Sequence, residues 1–201
     1  MGYMKQLDLA NKEDPEFKKL PLFNQRSLTP ELVKEVENIV KERLADNPIL
    51  LAHTLLARDR SLQVADSMGL SVRQKHVVEV GALLHDISYG KCHEEGTIPQ
   101  HEKFCSAEAE EILKGLNVRD DVVDLVKFSI LNHNVDGKPG EHPEAVAVYD
   151  GDRLAFLENP PLGVDPKNYG YKDMEELKEA SAKQLITEYA KDYYSKLIAP
   201  Q

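Results

Sequence analysis

"GALLHDISYG" runs from Gly81 to Gly90. It closes a stretch in which Val77, Val80, Ala82, Leu83 and Leu84 make a helix apolar on several sides, the mark of a central helix. The stretch ends in an adjacent His85–Asp86 pair and breaks at Ser88-Tyr89-Gly90. Neighbours on a helix point about 100° apart. Such a pair therefore shares one ion only if the ion sits near their common edge. Taken alone, the pair has a plainer reading, with Asp86 capping the chain's exit and His85 hydrogen-bonded in the core.

Working outward, the helix opens at Ser71, with Gln74 at capping-box spacing. Before it, "ILLAHTLLARDRSLQVADSMG" reads as a long helix closed by Gly69. These two helices form an antiparallel hairpin. His53 is early on the first and His85 late on the second, so both lie at one end. Upstream, "LTPELVKEVENIVKERLADNP" has Thr29 as N-cap, Pro30 at the first helical position, and an apolar stripe of Val33, Val36, Ile39, Val40 and Leu44. Pro48 marks the break. Residues 1–28 read as an irregular arm packed locally through Leu20, Leu22 and Phe23.

Downstream, "KCHEEGTIPQHEKF" reads as a loop with Gly96 and Pro99, "SAEAEEILKGL" and "RDDVVDLVKFSILNH" as helices, and "NVDGKPGEHP" as a turn-rich loop. "PEAVAVYDGDRLAFL" reads as a helix begun by Pro143, although "AVAVYD" alone is ambiguous with a strand. "ENPPLGVDPKNYGY" is a loop, and "KDMEELKEASAKQLITEYAKDYYSKLI" a final amphipathic helix whose tyrosines serve packing. The fold expected is all-α. It is a single helical bundle over 29–201, with an N-terminal arm and a C-terminal closing helix.

The 201 residues carry a formal net charge of −10, which disfavours a nucleic-acid duplex or an anionic membrane as partner. A small phosphorylated molecule stays open, because a bound metal reverses the local field. Cys92 and Cys105 form no CxxC motif, and a reducing cytoplasm is the simplest setting. No segment is long and apolar enough to span a bilayer, and the N-terminus lacks the apolar core of a signal peptide.

The His85–Asp86 pair is not alone. His53, His101, His133 and Asp150 sit on or beside helices that could surround a common point. Histidine with carboxylate suits manganese, iron, cobalt, nickel or zinc better than calcium. The absence of cysteine argues against a closed structural zinc site.

The order His…His-Asp…Asp on helices resembles the HD-domain superfamily of metal-dependent phosphohydrolases. "HTLLARDRSLQVADSMGLS" is similar to the family's first helix, and "GALLHDI" to its "AALLHDI". "HEKFCSAEAEEIL", "ILNHN" and "AVAVYDGDRLAFL" resemble the later histidine segments and the "Asp-Ala-Asp-Arg-Leu" helix, so the likeness covers roughly 50–157. The resemblance implies a helical domain holding one or two divalent ions, with magnesium added to the metals above. Its core ligands would be His53, His85, Asp86 and Asp150. Asp86 would bridge in a binuclear site, where His101 and His133 would hold the second ion. It implies hydrolysis of a small, nucleotide-like phosphorylated substrate by a metal-activated water. A non-catalytic regulatory module on the same fold is the alternative, and a homodimer is compatible with either.

Asp86 and Lys91 are the catalytic candidates, with Lys91 reaching phosphate from a loop lengthened after Ile87. Arg153 is the next phosphate candidate, unless it pairs with Asp152 or a helix end. Asp152 is weighed as a residue that orients a ligand histidine or caps. A competing register would put Arg60 of "RSLQVA" at the first ligand position. His53 fits the helix-pair length better, which leaves Arg60 as a surface or ion-pair residue. His76, His93 and His142 are read as non-ligands. The Gly-Tyr-Pro signature of the cyclic-dinucleotide branch is absent from 134–143.

Overall fold

The computed structural model describes residues 25–134, 137–160 and 164–199. The packing proposed for Leu20, Leu22 and Phe23 lies outside them. Nine α-helices follow one another: α1 (Pro30–Arg43), α2 (Pro48–Ser67), α3 (Val72–Leu84), α4 (Tyr89–Glu94), α5 (His101–Gly115), α6 (Asp120–Leu131), α7 (Pro143–Glu158), α8 (Met174–Lys183) and α9 (Glu188–Leu197), with no strand among the described residues. No described helix is long and apolar enough to cross a membrane.

The helix starts follow local chemistry. The Thr29 side chain accepts from Leu32 N, and Pro30 occupies a position whose N–H would have no partner anyway. Asn47 does the same for α2 by accepting from Leu50 N, so Pro48 begins that helix as well as ending the segment before it. Ser71 and Gln74 complete a reciprocal capping box on α3.

α3 is the post of the bundle. Val77, Val80, Leu83 and Leu84 pack into one cluster with α1, α5 and α6, through residues such as Val36, Val40, Leu113 and Ile130. Val78 and Ala82 face a second cluster with Val64, Val148, Leu154 and Ala190. Apolar packing on both sides explains why α3 shows no single apolar stripe. α2 and α7 make the most extensive helix pair. Gly151 permits that approach, because a Cβ there would stand 2.1 Å from Ser61 Oγ and 2.5 Å from Ser61 Cα.

Two segments depart from the reading of the sequence, and one ambiguous run resolves to the helix expected. The segment read as a loop over 91–104 carries the last four residues of α4 and a 3₁₀ turn (Ile98–Gln100), and α5 begins at His101 rather than Ser106. Gly96 and Pro99 still punctuate it: Gly96 adopts φ +69 just past α4, and Pro99 sits in the turn. The "AVAVYD" run is helical within α7. The expected single C-terminal helix is two, α8 and α9, broken over 184–187. Thr187 caps α9 by accepting from Ala190 N. The N–H groups of Ile186 and Thr187 are drawn out of a helical ladder by the Asp150 carboxylate, at 2.9 and 2.8 Å.

Candidate metal centre

His85 stands at the C-terminal end of α3 and His133 just beyond α6, where helices leave carbonyls without intrahelical partners. Each ring takes up one of them. His85 Nδ1 donates to Ala82 O at 2.7 Å and His133 Nδ1 to Ile130 O at 2.6 Å. His101 repeats the device at the start of α5, donating from Nδ1 to Ile98 O of the 3₁₀ turn at 2.9 Å. A carbonyl only accepts, so each Nδ1 carries a proton, and a ring in its neutral form keeps its lone pair on Nε2. This is the tautomer in which a second-shell hydrogen bond orients a metal-ligating histidine.

The three Nε2 atoms and His53 Nε2 then gather around two carboxylates. Asp86 Oδ2 lies 3.3 Å from His85 Nε2 and 3.9 Å from His53 Nε2. Asp86 Oδ1 lies 3.4 Å from His101 Nε2 and 3.6 Å from His133 Nε2. Asp152 Oδ1 is 3.0 Å from His53 Nε2 and 3.3 Å from His85 Nε2. His53, His85, Asp86, His101 and His133 are all buried.

The donor set fits a cation. His101 Nε2 and His133 Nε2 face each other at 3.2 Å, yet both rings spend their Nδ1 proton on a carbonyl. Two lone pairs at that distance need a proton or a metal between them. His85 Nε2 and Asp86 Oδ1 are buried without a hydrogen-bond partner, at a high cost unless a ligand takes them up. Ligand atoms close into three overlapping groups: His53, His85 and Asp86; His85, His133 and Asp152; Asp86, His101 and His133.

The electrostatics agree. Burial works against the His85 imidazolium, but the Asp86 and Asp152 carboxylates overcome it and hold its pKa well above 6.5. Burial also works against the Asp86 and Asp152 anions. The surrounding histidines outweigh it and keep both carboxyls far below their usual range. Burial lowers His101, with repulsion from His133 adding to it. A region this negative, closed by imidazoles, is prepared for positive charge.

The sequence-predicted residues divide clearly. His53, His85, Asp86, His101 and His133 come together. Asp150 does not, and its assignment as a ligand is corrected: Oδ1 accepts from Ile186 N, and Oδ2 accepts from Thr187 N and Thr187 Oγ1, at 2.7–2.9 Å. The carboxylate that α7 gives the cluster is Asp152. Lys91 is exposed in the last turn of α4 and is not among the residues lining the cavity above the cluster. Arg153 is buried as a brace: Nη1 donates to His133 O (2.7 Å) and Tyr149 O (3.3 Å), and Nη2 to Asn134 O (2.8 Å) and Gln184 Oε1 (3.0 Å). Its guanidinium lies 3.3 Å over the Tyr149 ring. Arg60 makes a two-pronged pair with Glu158. His76 bonds Leu28 O, and His142 lies against the Phe128 ring. Tyr193 OH donates to Glu158, and Tyr189 OH to Gln63, so the tyrosines of the tail do pack.

The segment after Ile87 contributes a residue that the sequence did not single out. Ser88 anchors the turn by donating to Glu108 Oε2 at 2.6 Å. Tyr89 then lies edge-on to the His101 ring, centroids 5.2 Å apart, with its hydroxyl 3.1 Å from that of Tyr169. Burial raises both phenols. The pair walls one side of a cavity of about 350 Å³ over the cluster. A tyrosine three positions past Asp86 carried no readable signal.

The family model described as HD domain matches residues 50–157. The crystal structure of a "predicted HD superfamily hydrolase" from an uncultured Thermotogales bacterium, at 1.45 Å resolution, superposes with a TM-score of 0.59 at 19% identity, covering 81% of this chain and 83% of that one. That likeness is one of fold. No curated protein matches the sequence significantly.

Proposed function

The chain belongs to the HD domain family, and from that premise we propose that it is a metal-dependent phosphohydrolase. It would cleave a phosphomonoester or phosphodiester bond of a small phosphorylated metabolite, with nucleotides the first class to test. One observation carries the reading: inward-facing imidazole nitrogens and two buried carboxylates meet at the floor of a cavity. His53, His85, Asp86 and Asp152 would hold a divalent transition metal. Asp86, His101 and His133 offer a second position that shares Asp86. A metal there would supply a Lewis acid for a phosphoryl oxygen and make a water acidic enough to attack near neutral pH.

The protein's own contribution is orientation. The carbonyls of Ala82, Ile98 and Ile130 fix three rings in one tautomer. Arg153 holds the carbonyls of His133 and Asn134, and so fixes the chain where α6 ends. Tyr89 and Tyr169 keep water from one side of the reacting region.

Purification without chelator, with elemental analysis and a nucleotide panel in added manganese, cobalt or nickel, tests this. The expected result is bound transition metal and phosphate release, both lost in Asp86→Ala. Absence of metal together with a flat panel overturns it. A regulatory module would instead bind metal and nucleotide with no turnover to lose.

A further inference from the structure

Asp86 is the carboxylate shared by the two metal positions, and its Oδ1 is the oxygen nearest His101 and His133, at 3.4 and 3.6 Å. That oxygen is buried without a hydrogen-bond partner. Asp150, by contrast, is fixed by three donors. The place of Asp86 Oδ1 therefore depends on where the backbone carries it. Before Asp86 stands α3. After it the chain turns, with Tyr89 N donating to Asp86 O at 2.9 Å. Ser88, buried in that turn, ties it to α5 twice. Its N–H meets Cys105 Sγ at 3.4 Å, and its hydroxyl donates to Glu108 Oε2 at 2.6 Å. The second length is that of a hydroxyl bonded to an ionised carboxylate.

His101, Cys105 and Glu108 recur along α5 at the spacing of one helix face. All three meet the segment that follows α3. His101 faces Asp86 Oδ1, and its ring lies against Tyr89 with centroids 5.2 Å apart. Cys105 and Glu108 hold Ser88. One face of α5 thus supplies a ligand of the second position and seats the turn that carries the shared one. Glu108 is steadied from its other side, with Oε1 3.2 Å from Nη1 of Arg43, the last residue of α1. Arg43 is largely exposed, so that ion pair adds little by itself. Glu108 belongs neither to the ligand groups nor to the cavity lining. The two metal positions depend on its bond unequally. His85 and Asp86 are consecutive at the end of α3, so the chain itself keeps them together. Asp86 and His101 come from different elements, and the bond from Ser88 to Glu108 joins those elements beside them.

We infer, resting on the metal-dependent reading above, that Glu108 is a positioning residue: through Ser88 it holds Asp86 Oδ1 in place beside His101 and His133, and so decides how tightly the second metal position is filled. It touches no reacting atom. Its effect passes along the chain from Ser88 to Asp86.

The test titrates the full chain with manganese and with cobalt, reading stoichiometry by equilibrium dialysis and the cobalt sites by visible absorption. The unaltered chain is expected to bind two ions. Glu108→Ala and Ser88→Ala should each weaken one of the two by about 10–100-fold, the cost of losing an outer partner, and leave the other unchanged. The double variant should lose no more than either single one, because both remove the same bond. Glu108→Gln keeps an oxygen that accepts from Ser88 and should restore most of the second ion, together with its share of the cobalt absorption. Alanine and glutamine are good helix formers, and Ser88→Ala breaks the bond without altering α5, which keeps the inference testable should Glu108→Ala fail to fold. Urea unfolding of the metal-free variants supplies the control. A merely structural role would lower stability while leaving the ratio of the two metal affinities as it was. That result overturns the inference, and so does an unaltered chain that binds a single ion. The phosphohydrolase reading fails separately, on two ions bound with no turnover of the nucleotide panel.

Discussion

Asp150 and Asp152 flank Gly151 on α7, about 200° apart around its axis. Asp150 faces the junction between α8 and α9, where three fixed donors of Ile186 and Thr187 occupy its oxygens. Asp152 faces His53 and His85, within 3.0 and 3.3 Å. One carboxylate is met by hydrogen-bond donors and braces the chain. The other is met by imidazoles, one of which spends its Nδ1 proton on a carbonyl, and calls for a cation, whether a proton on Nε2 or a metal. Gly151 between them lets α7 come close to α2, which brings Asp152 to His53.

The largest expected effect comes from exchanging these roles. Asp152→Asn should weaken metal binding and turnover by at least about 100-fold, beyond what loss of an outer partner costs. Asp150→Asn should keep the metal but lose about 1.5–3 kcal/mol of folding stability, because an amide cannot replace a charged acceptor of three donors. Metal titration and urea unfolding on both variants read the two effects separately. Metal loss in Asp150→Asn with stability intact would reverse the assignment.

The two aspartates also mark how far the sequence could be read. The helices around His53 and His85 were legible because their caps and apolar periods are local: Thr29, Ser71 with Gln74, and Pro143 each act within one turn. The convergence of His53 and His85 came from hairpin geometry. "Asp-Gly-Asp" offers two carboxylates on opposite faces, and the phase of α7 is set by packing against α2, α3 and α6, which no local signal records. The break in the C-terminal helix was hidden for the same reason. Its cause is Asp150, 36 residues from Ile186. Arg153 looked like a phosphate ligand because its acceptors are backbone carbonyls, which sequence does not display.

Arg153 sharpens the comparison from the side of the cluster. Lysine keeps the charge but has no planar fork to join the carbonyls of His133 and Asn134. Arg153→Lys should cost about 10–100-fold in metal affinity or kcat/KM, as an outer partner does. Activity unchanged in that variant would show that the chain after α6 holds its place unaided.

The charge held by Asp86 and Asp152 should appear in the pH dependence. His85 is held well above 6.5 by these carboxylates despite its burial. In the metal-free chain its pairing stabilises the fold fully below 6.5, and that contribution is lost as pH rises through the folded value. Metal binding must expel the same proton, so affinity should rise by about tenfold per pH unit below that value. Calorimetry at pH 7 in buffers of different ionisation enthalpy should show proton release, and Asp152→Asn should reduce it. Equal heats in all buffers would mean that His85 is already neutral.

The smallest effect is expected at Lys91. The side chain sits in the last turn of a six-residue helix, exposed, while its neighbours Gly90, His93 and Glu94 line the cavity. The segment after Ile87 serves the site through Tyr89, whose ring packs on His101. Lys91→Ala should therefore leave kcat/KM within about twofold, the range of a surface change that breaks no contact. Tyr89→Phe removes the hydroxyl bond to Tyr169 and should perturb kcat/KM more. A large loss in Lys91→Ala with Tyr89→Phe silent would mean that α4 turns a different face to the cavity when substrate is bound. The distinction drawn for Asp150 and Asp152 would then have to be drawn again for α4.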